Sequence, residues 1–182
     1  MGLKNTSSEF GSLAKWLHWL IALGIFALIY LGLEQAGMER GPEKQEVRAL
    51  HSSIALVVLL LMTARLIWRW MNEVPAHPEG MPAWQRLSAT LVHWGLYVAV
   101  FVQLLSGPMT TATGGNPVPF FGLFSILLPV AKDEEMHHFY EGIHESAWIF
   151  VAVLLAIHIL GSLYNHFVLK NDVLRRMTAG VK

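Results

Sequence analysis

The sequence predicts an all-α integral membrane protein: a four-transmembrane-helix bundle with cytoplasmic N- and C-termini. Three observations carry this. Hydrophobic residues make up 54% of the chain and charged residues 14%, where soluble domains carry about a quarter charged. Four stretches are apolar over the roughly 20 residues that a helix needs to cross a bilayer. Basic residues collect at the ends of those stretches that fall on one side.

The first span is placed at about residues 13–33 (LAKWLHWLIALGIFALIYLGL), entered past Lys15 and left at Glu34. A charged connection follows over 34–48, with Gly41-Pro42 as its turn signal. The second span, about 49–70, ends in the basic, tryptophan-rich RLIWRW. Pro75, Pro78 and Pro82 interrupt the helical pattern before the third span at about 84–106. A long connection over 107–136 contains the turn Gly114-Gly115-Asn116-Pro117. Its apolar run over 120–130 is too short to span and reads as interfacial or re-entrant. The fourth span covers about 138–169. No repeat of fixed period divides the chain, so residues 1–182 read as a single transmembrane unit.

With four spans, both termini fall on one side. That side holds Lys4, Lys15, Arg65, Arg69, Arg86, Lys170, Arg175, Arg176 and Lys182, nine of the thirteen basic residues, and is cytoplasmic by the positive-inside rule. Trp16, Trp19, Trp68, Trp70 and Trp84 form an aromatic belt there, with Trp148 near the other face. A soluble four-helix bundle would need polar helix faces, which 54–64 and 149–157 lack.

A net charge of zero gives no footprint for nucleic acid. The absence of cysteine removes disulfides, thiolate metal sites, iron–sulfur clusters and covalently attached haem. Nine histidines remain as ligands. His144 and His158 stand fourteen residues apart in the fourth span, on one side of the helix and about 21 Å apart along it. An ionisable side chain within a span marks a functional site. Counting the helical rise puts His51, at the outer start of the second span, level with His144. His18 and His158 are level with each other near the inner side. Two imidazoles at one depth on different helices suit a haem iron, and two such depths suit two stacked haems. His93 reaches the inner depth too, so counting leaves His18 and His93 as alternative partners of His158. The loser would contact a propionate or a quinone ring. Arg65 and Arg69 are candidate propionate partners at the inner haem, and Arg48 or Lys132 at the outer one. His77 reads as solvated; His137, His138 and His166 read as interfacial or as part of a proton route. Gly24, Gly32, Gly95 and Gly161 would admit a macrocycle or, more commonly, close helix packing.

At these residues the chain resembles the bacterial cytochrome b561 family, diheme membrane cytochromes related to the cytochrome b subunits of nickel–iron hydrogenases. The matching pieces are His18-Trp19, and His51 opening a helix that ends in RLIWR. Gly115-Asn116-Pro117 followed by Phe121-Gly122, His144-Glu145, His158, and Lys170-Asn171-Asp172 before LRRM also match. The resemblance implies two non-covalent, bis-histidine haems b, with His18 and His158 holding the inner one and His51 and His144 the outer. It also implies the bacterial inner membrane, with ubiquinone as a substrate. One relative is similar to a superoxide:ubiquinone oxidoreductase, a role that would favour a basic outer surface. Here that surface carries nine acids against four bases.

The reading is therefore a membrane cytochrome passing electrons between the quinone pool and a donor or acceptor at the outer, periplasmic surface. An acidic face there suits a basic or neutral redox or lipid-binding protein. Three alternatives stand beside it. One is a superoxide:ubiquinone oxidoreductase, another a haem-bearing anchor subunit of a separate dehydrogenase. The third is a histidine-lined metal or proton transporter, which predicts a colourless protein.

Overall fold

The computed structural model describes residues 2–178; Lys182, counted above among the inner basic residues, lies outside them. The chain runs α1 (Ser12–Gly37), α2 (Pro42–Met71), α3 (Ala83–Thr113), β1 (Val118–Phe120), β2 (Phe124–Ile126), α4 (Glu134–Phe167) and α5 (Val173–Met177). Helices α1 to α4 are each long and apolar enough to cross a membrane. Their outward faces carry large apolar side chains, among them Leu23, Leu60, Leu91, Phe150 and Leu160, each more than 60% exposed. A surface of that kind is stable only against hydrocarbon.

The helices overrun their apolar stretches. Helix α2 begins at Pro42, seven residues before the predicted span, because proline's fixed φ and missing N–H suit the first helical position. The charged connection over 34–48 thus shrinks to the few residues between Gly37 and Pro42. Helix α3 continues past Ser106 through Pro108 to Thr113. A proline within a spanning helix is tolerated where neighbouring groups take up the freed backbone. Helix α4 starts at Glu134, where the Asp133 side chain accepts a hydrogen bond from the Met136 N–H at 3.0 Å.

The apolar run in the third connection holds a two-stranded antiparallel hairpin, pairing Val118 with Ile126 and Phe120 with Phe124. Its turn puts Phe121 and Gly122 at φ 48° and 69°, and the Leu123 N–H donates to the Phe120 carbonyl at 3.0 Å. Ser53 ties the hairpin to α2. Its hydroxyl accepts from the Phe121 N–H at 2.8 Å and lies 3.3 Å from the Pro119 carbonyl.

Helix α1 packs along α2, and α3 along α4. One apolar cluster joins the two pairs: Leu17 and Ile21 of α1, Ala55, Val58 and Met62 of α2, Val100 and Leu104 of α3, and Val151 of α4. The termini share one end of the bundle, where the Trp19 indole N–H donates to the Met177 carbonyl at 2.8 Å. Lys15, counted above as an inner basic residue, is buried there.

Candidate functional site

Val151, in the core cluster, lies seven residues from His144 and seven from His158. Seven residues are close to two helical turns, so all three occupy one stripe of α4. That stripe faces the centre of the bundle, meeting α1 and α2 through histidine rings and α3 through Gln103, Ser106 and His93. Histidine rings reach across the remaining space at two levels.

Near the termini, the His18 and His158 ring centres are 6.1 Å apart, with planes at 72°. At the opposite level, the His51 and His144 ring centres are 6.3 Å apart, with planes at 75°. These are the level pairs that helical rise predicts. His93 of α3 joins the first level, its ring centre 5.2 Å from that of His158. Two imidazoles on opposite sides of one metal ion, each nitrogen about 2.0 Å from it and about 1.2 Å from its ring centre, would hold those centres about 6.4 Å apart. The pairs His18–His158 and His51–His144 meet that spacing. His93–His158 falls short of it by about 1 Å.

The surroundings of the second pair fit a metal-ligating imidazole. The backbone carbonyl of Gln103 lies 3.1 Å from His144 Nδ1, and the Ser106 hydroxyl is also 3.1 Å away. A ligating histidine characteristically donates its other N–H to such an acceptor, which fixes tautomer and ring orientation. The Gln103 amide nitrogen lies 3.1 Å from His144 Nε2. Across the space, His51 Nδ1 is buried with no hydrogen-bond partner among the described residues. Glycines make room for both rings. A Cβ on Gly107 would stand 3.1 Å from His144 Cε1, and one on Gly32 would stand 3.6 Å from His51 Cε1. Gly24 and Gly95 instead admit neighbouring side chains, Val58 and Leu154, while Gly161 faces open space.

At the first level, Arg65 of α2 donates to the Ala14 carbonyl at 2.8 Å, one helical turn from His18. The Arg69 guanidinium stacks over Trp94, 5.3 Å from the ring centre, and lies 5.9 Å from that of Tyr97. Lys132 packs its aliphatic stem beneath Gly115, and Arg48 is exposed. The loop residue His77 is exposed, whereas His166 Nδ1 is buried with no hydrogen-bond partner among the described residues. Sequence reading missed Gln103, Ser106 and Gly107. Their spacing on α3 was the available signal, since positions 103, 106 and 107 fall on one helical face.

A family model described as prokaryotic cytochrome b561 matches residues 9–180. The chain belongs to this family. Cytochrome b561 homolog 2 of Escherichia coli K12 is 28% identical over 185 residues, covering 97% of this chain and 95% of that protein. Cytochrome b561 homolog 1 of the same organism is 29% identical, covering 93% and 97%. A Yersinia pestis protein named probable superoxide oxidase CybB is 23% identical, covering 93% and 95%. Membership of the cytochrome b561 family implies a multi-pass membrane protein with b-type haem and a part in electron transport.

Proposed function

We propose that the protein carries two haems b in its membrane-spanning bundle, His18 and His158 holding one and His51 and His144 the other. It would move electrons between the quinone pool and a redox partner at the face opposite the termini. The observation that supports this most directly is the pair of inter-helix imidazole separations, 6.1 and 6.3 Å. The shorter His93–His158 separation favours His18 as the ligand and leaves His93 beside the site. Basic residues concentrated at the terminal end support a cytoplasmic position for the termini in a bacterial inner membrane.

When bound, haem would supply one-electron chemistry, with His18 and His158 holding one group and His51 and His144 the other. The protein's part is to hold and insulate it. His144 is oriented through Nδ1 by the Gln103 carbonyl, which leaves Nε2, approached at 3.1 Å by the Gln103 amide, as the nitrogen that would hold the iron. Leu17, Ile21, Val58 and Val151 keep water from the region between the two levels. Arg65 and Arg69 place positive charge at the terminal end and would pair with propionates of a haem held there.

A second reading is superoxide:ubiquinone oxidoreduction: the Yersinia pestis relative is named a probable superoxide oxidase, and ubiquinone as acceptor rests on the family resemblance. Nine acids against four bases on the face opposite the termini weigh against steering an anion there. A pyridine haemochrome assay on purified protein tests the main reading and should count two haems b per chain. A count of one removes a ligand pair, and a colourless protein removes the reading. Rapid-mixing reduction by superoxide, with ubiquinone as final acceptor, separates the second reading from a relay.

A further inference from the structure

Beyond the histidine pairs in the span, the geometry points to a second kind of metal site. His137, His138 and Glu141, on the first turns of α4, form a site for a divalent transition-metal ion of the zinc or copper class. Each residue offers one ligand atom, and these atoms all lie within 4.8 Å of one another. His138 Nδ1 and Glu141 Oε2 are 3.3 Å apart, close to the roughly 3.4 Å that separates neighbouring ligands around a tetrahedral ion. The ring centres of His137 and His138 are 5.5 Å apart. Glu141 lies one helical turn from both, so its carboxylate spans two rings that adjacent positions on a helix would otherwise splay apart.

His137 is already oriented for ligation. Its Nδ1 lies 2.8 Å from the Thr110 carbonyl, and donation there leaves Nε2 with the lone pair. Gly114 provides the room: a Cβ at that position would stand 3.1 Å from His137 Nδ1. Two imidazoles and one carboxylate select zinc, copper or nickel over magnesium and calcium, which take oxygen donors. Asp133, Glu134, Glu135 and Glu145 lie within two turns of the site and draw cations toward it. Water completes the coordination at this exposed end of the helix. The site does not depend on haem ligation by His144, seven residues further along α4.

Calorimetric titration of the purified full-length chain in detergent, without an affinity tag and with excess Mg²⁺ present, tests the assignment with Zn²⁺ as the probe. One Zn²⁺ should bind per chain. Cu²⁺ should displace it, following the usual affinity order. His138→Ala and the near-isosteric Glu141→Gln should each weaken Zn²⁺ binding at least about tenfold, while His77→Ala leaves it unchanged. Wild-type protein that takes up no Zn²⁺ would show that His138 and Glu141 form an ordinary surface ion pair. Equal binding by wild type, His138→Ala and Glu141→Gln would place the ion elsewhere. Either result overturns the site.

Discussion

The Nδ1 atom of His144 lies 3.1 Å from the backbone carbonyl oxygen of Gln103. A carbonyl of the main chain survives any side-chain replacement, so this restraint on the imidazole is built into the backbone of α3. The Gln103 amide beside Nε2 is, by contrast, a side-chain contact. Gln103→Leu should therefore leave the haem count at its wild-type value. Loss of one haem in that variant would mean that the side chain, rather than the carbonyl, orients the ring.

Gly107 should be far less tolerant. A Cβ there stands 3.1 Å from His144 Cε1 and 3.3 Å from Nδ1, tighter than ordinary contact. Gly107→Val should displace the ring and remove most of the haem held with His51, sparing the other. Gly32→Ala, whose Cβ would meet His51 at an ordinary 3.6 Å, should keep both. Reduced-minus-oxidised spectra of the two variants make the comparison.

Among the three clustered histidines, substitutions should separate ligand from neighbour. His158→Ala and His18→Ala should each remove one haem per chain, and His51→Ala should remove the other. His93→Ala should retain two. Haemochrome counts on the four proteins decide it; loss with His93→Ala and retention with His18→Ala would reverse the assignment.

Gly24 tests packing rather than chemistry. A methyl there would sit 2.4 Å from Val58 Cγ2, and Val58 is 1% exposed. Overpacking of this kind costs about 1–3 kcal/mol, exceeding the gain of up to about 1 kcal/mol from glycine to alanine in a helix. Thermal unfolding in detergent should show Gly24→Ala destabilised, with Val58→Ala in the same chain recovering much of the loss.

Ser53→Ala should release the hairpin. The Phe121 N–H would lose its 2.8 Å acceptor, a net cost of about 0.5–1.5 kcal/mol for one such hydrogen bond. Hydrogen exchange should rise at Phe121 while α2 stays protected.

Much of the arrangement around the histidines was legible in the sequence because a helix advances by a fixed rise. Counting residues from the charged boundaries put His18 level with His158 and His51 level with His144, and the rings meet at those levels. Counting could not separate His18 from His93, since depth says nothing about rotation around a bundle whose packing is unknown. The hairpin was hidden because its turn places a phenylalanine at φ 48°, where hairpins ordinarily carry asparagine or glycine. Helix ends were misplaced because apolar runs record the hydrocarbon, while hydrogen bonding continues into the polar margin. Lys15 was counted among the inner basic residues, and it is buried: residue type alone does not reveal which flank of α1 meets its neighbours.

The fourth helix keeps 11% of its most apolar window buried and rests mainly on α3. Two hairpins of helix therefore enter the bilayer with the seam between them only partly sealed by side chains. Haem held by the imidazoles as proposed would close part of that seam and so act as a structural member as well as a carrier. Loading then becomes a checkpoint in biogenesis: chains that never receive it should be the ones a membrane protease clears first.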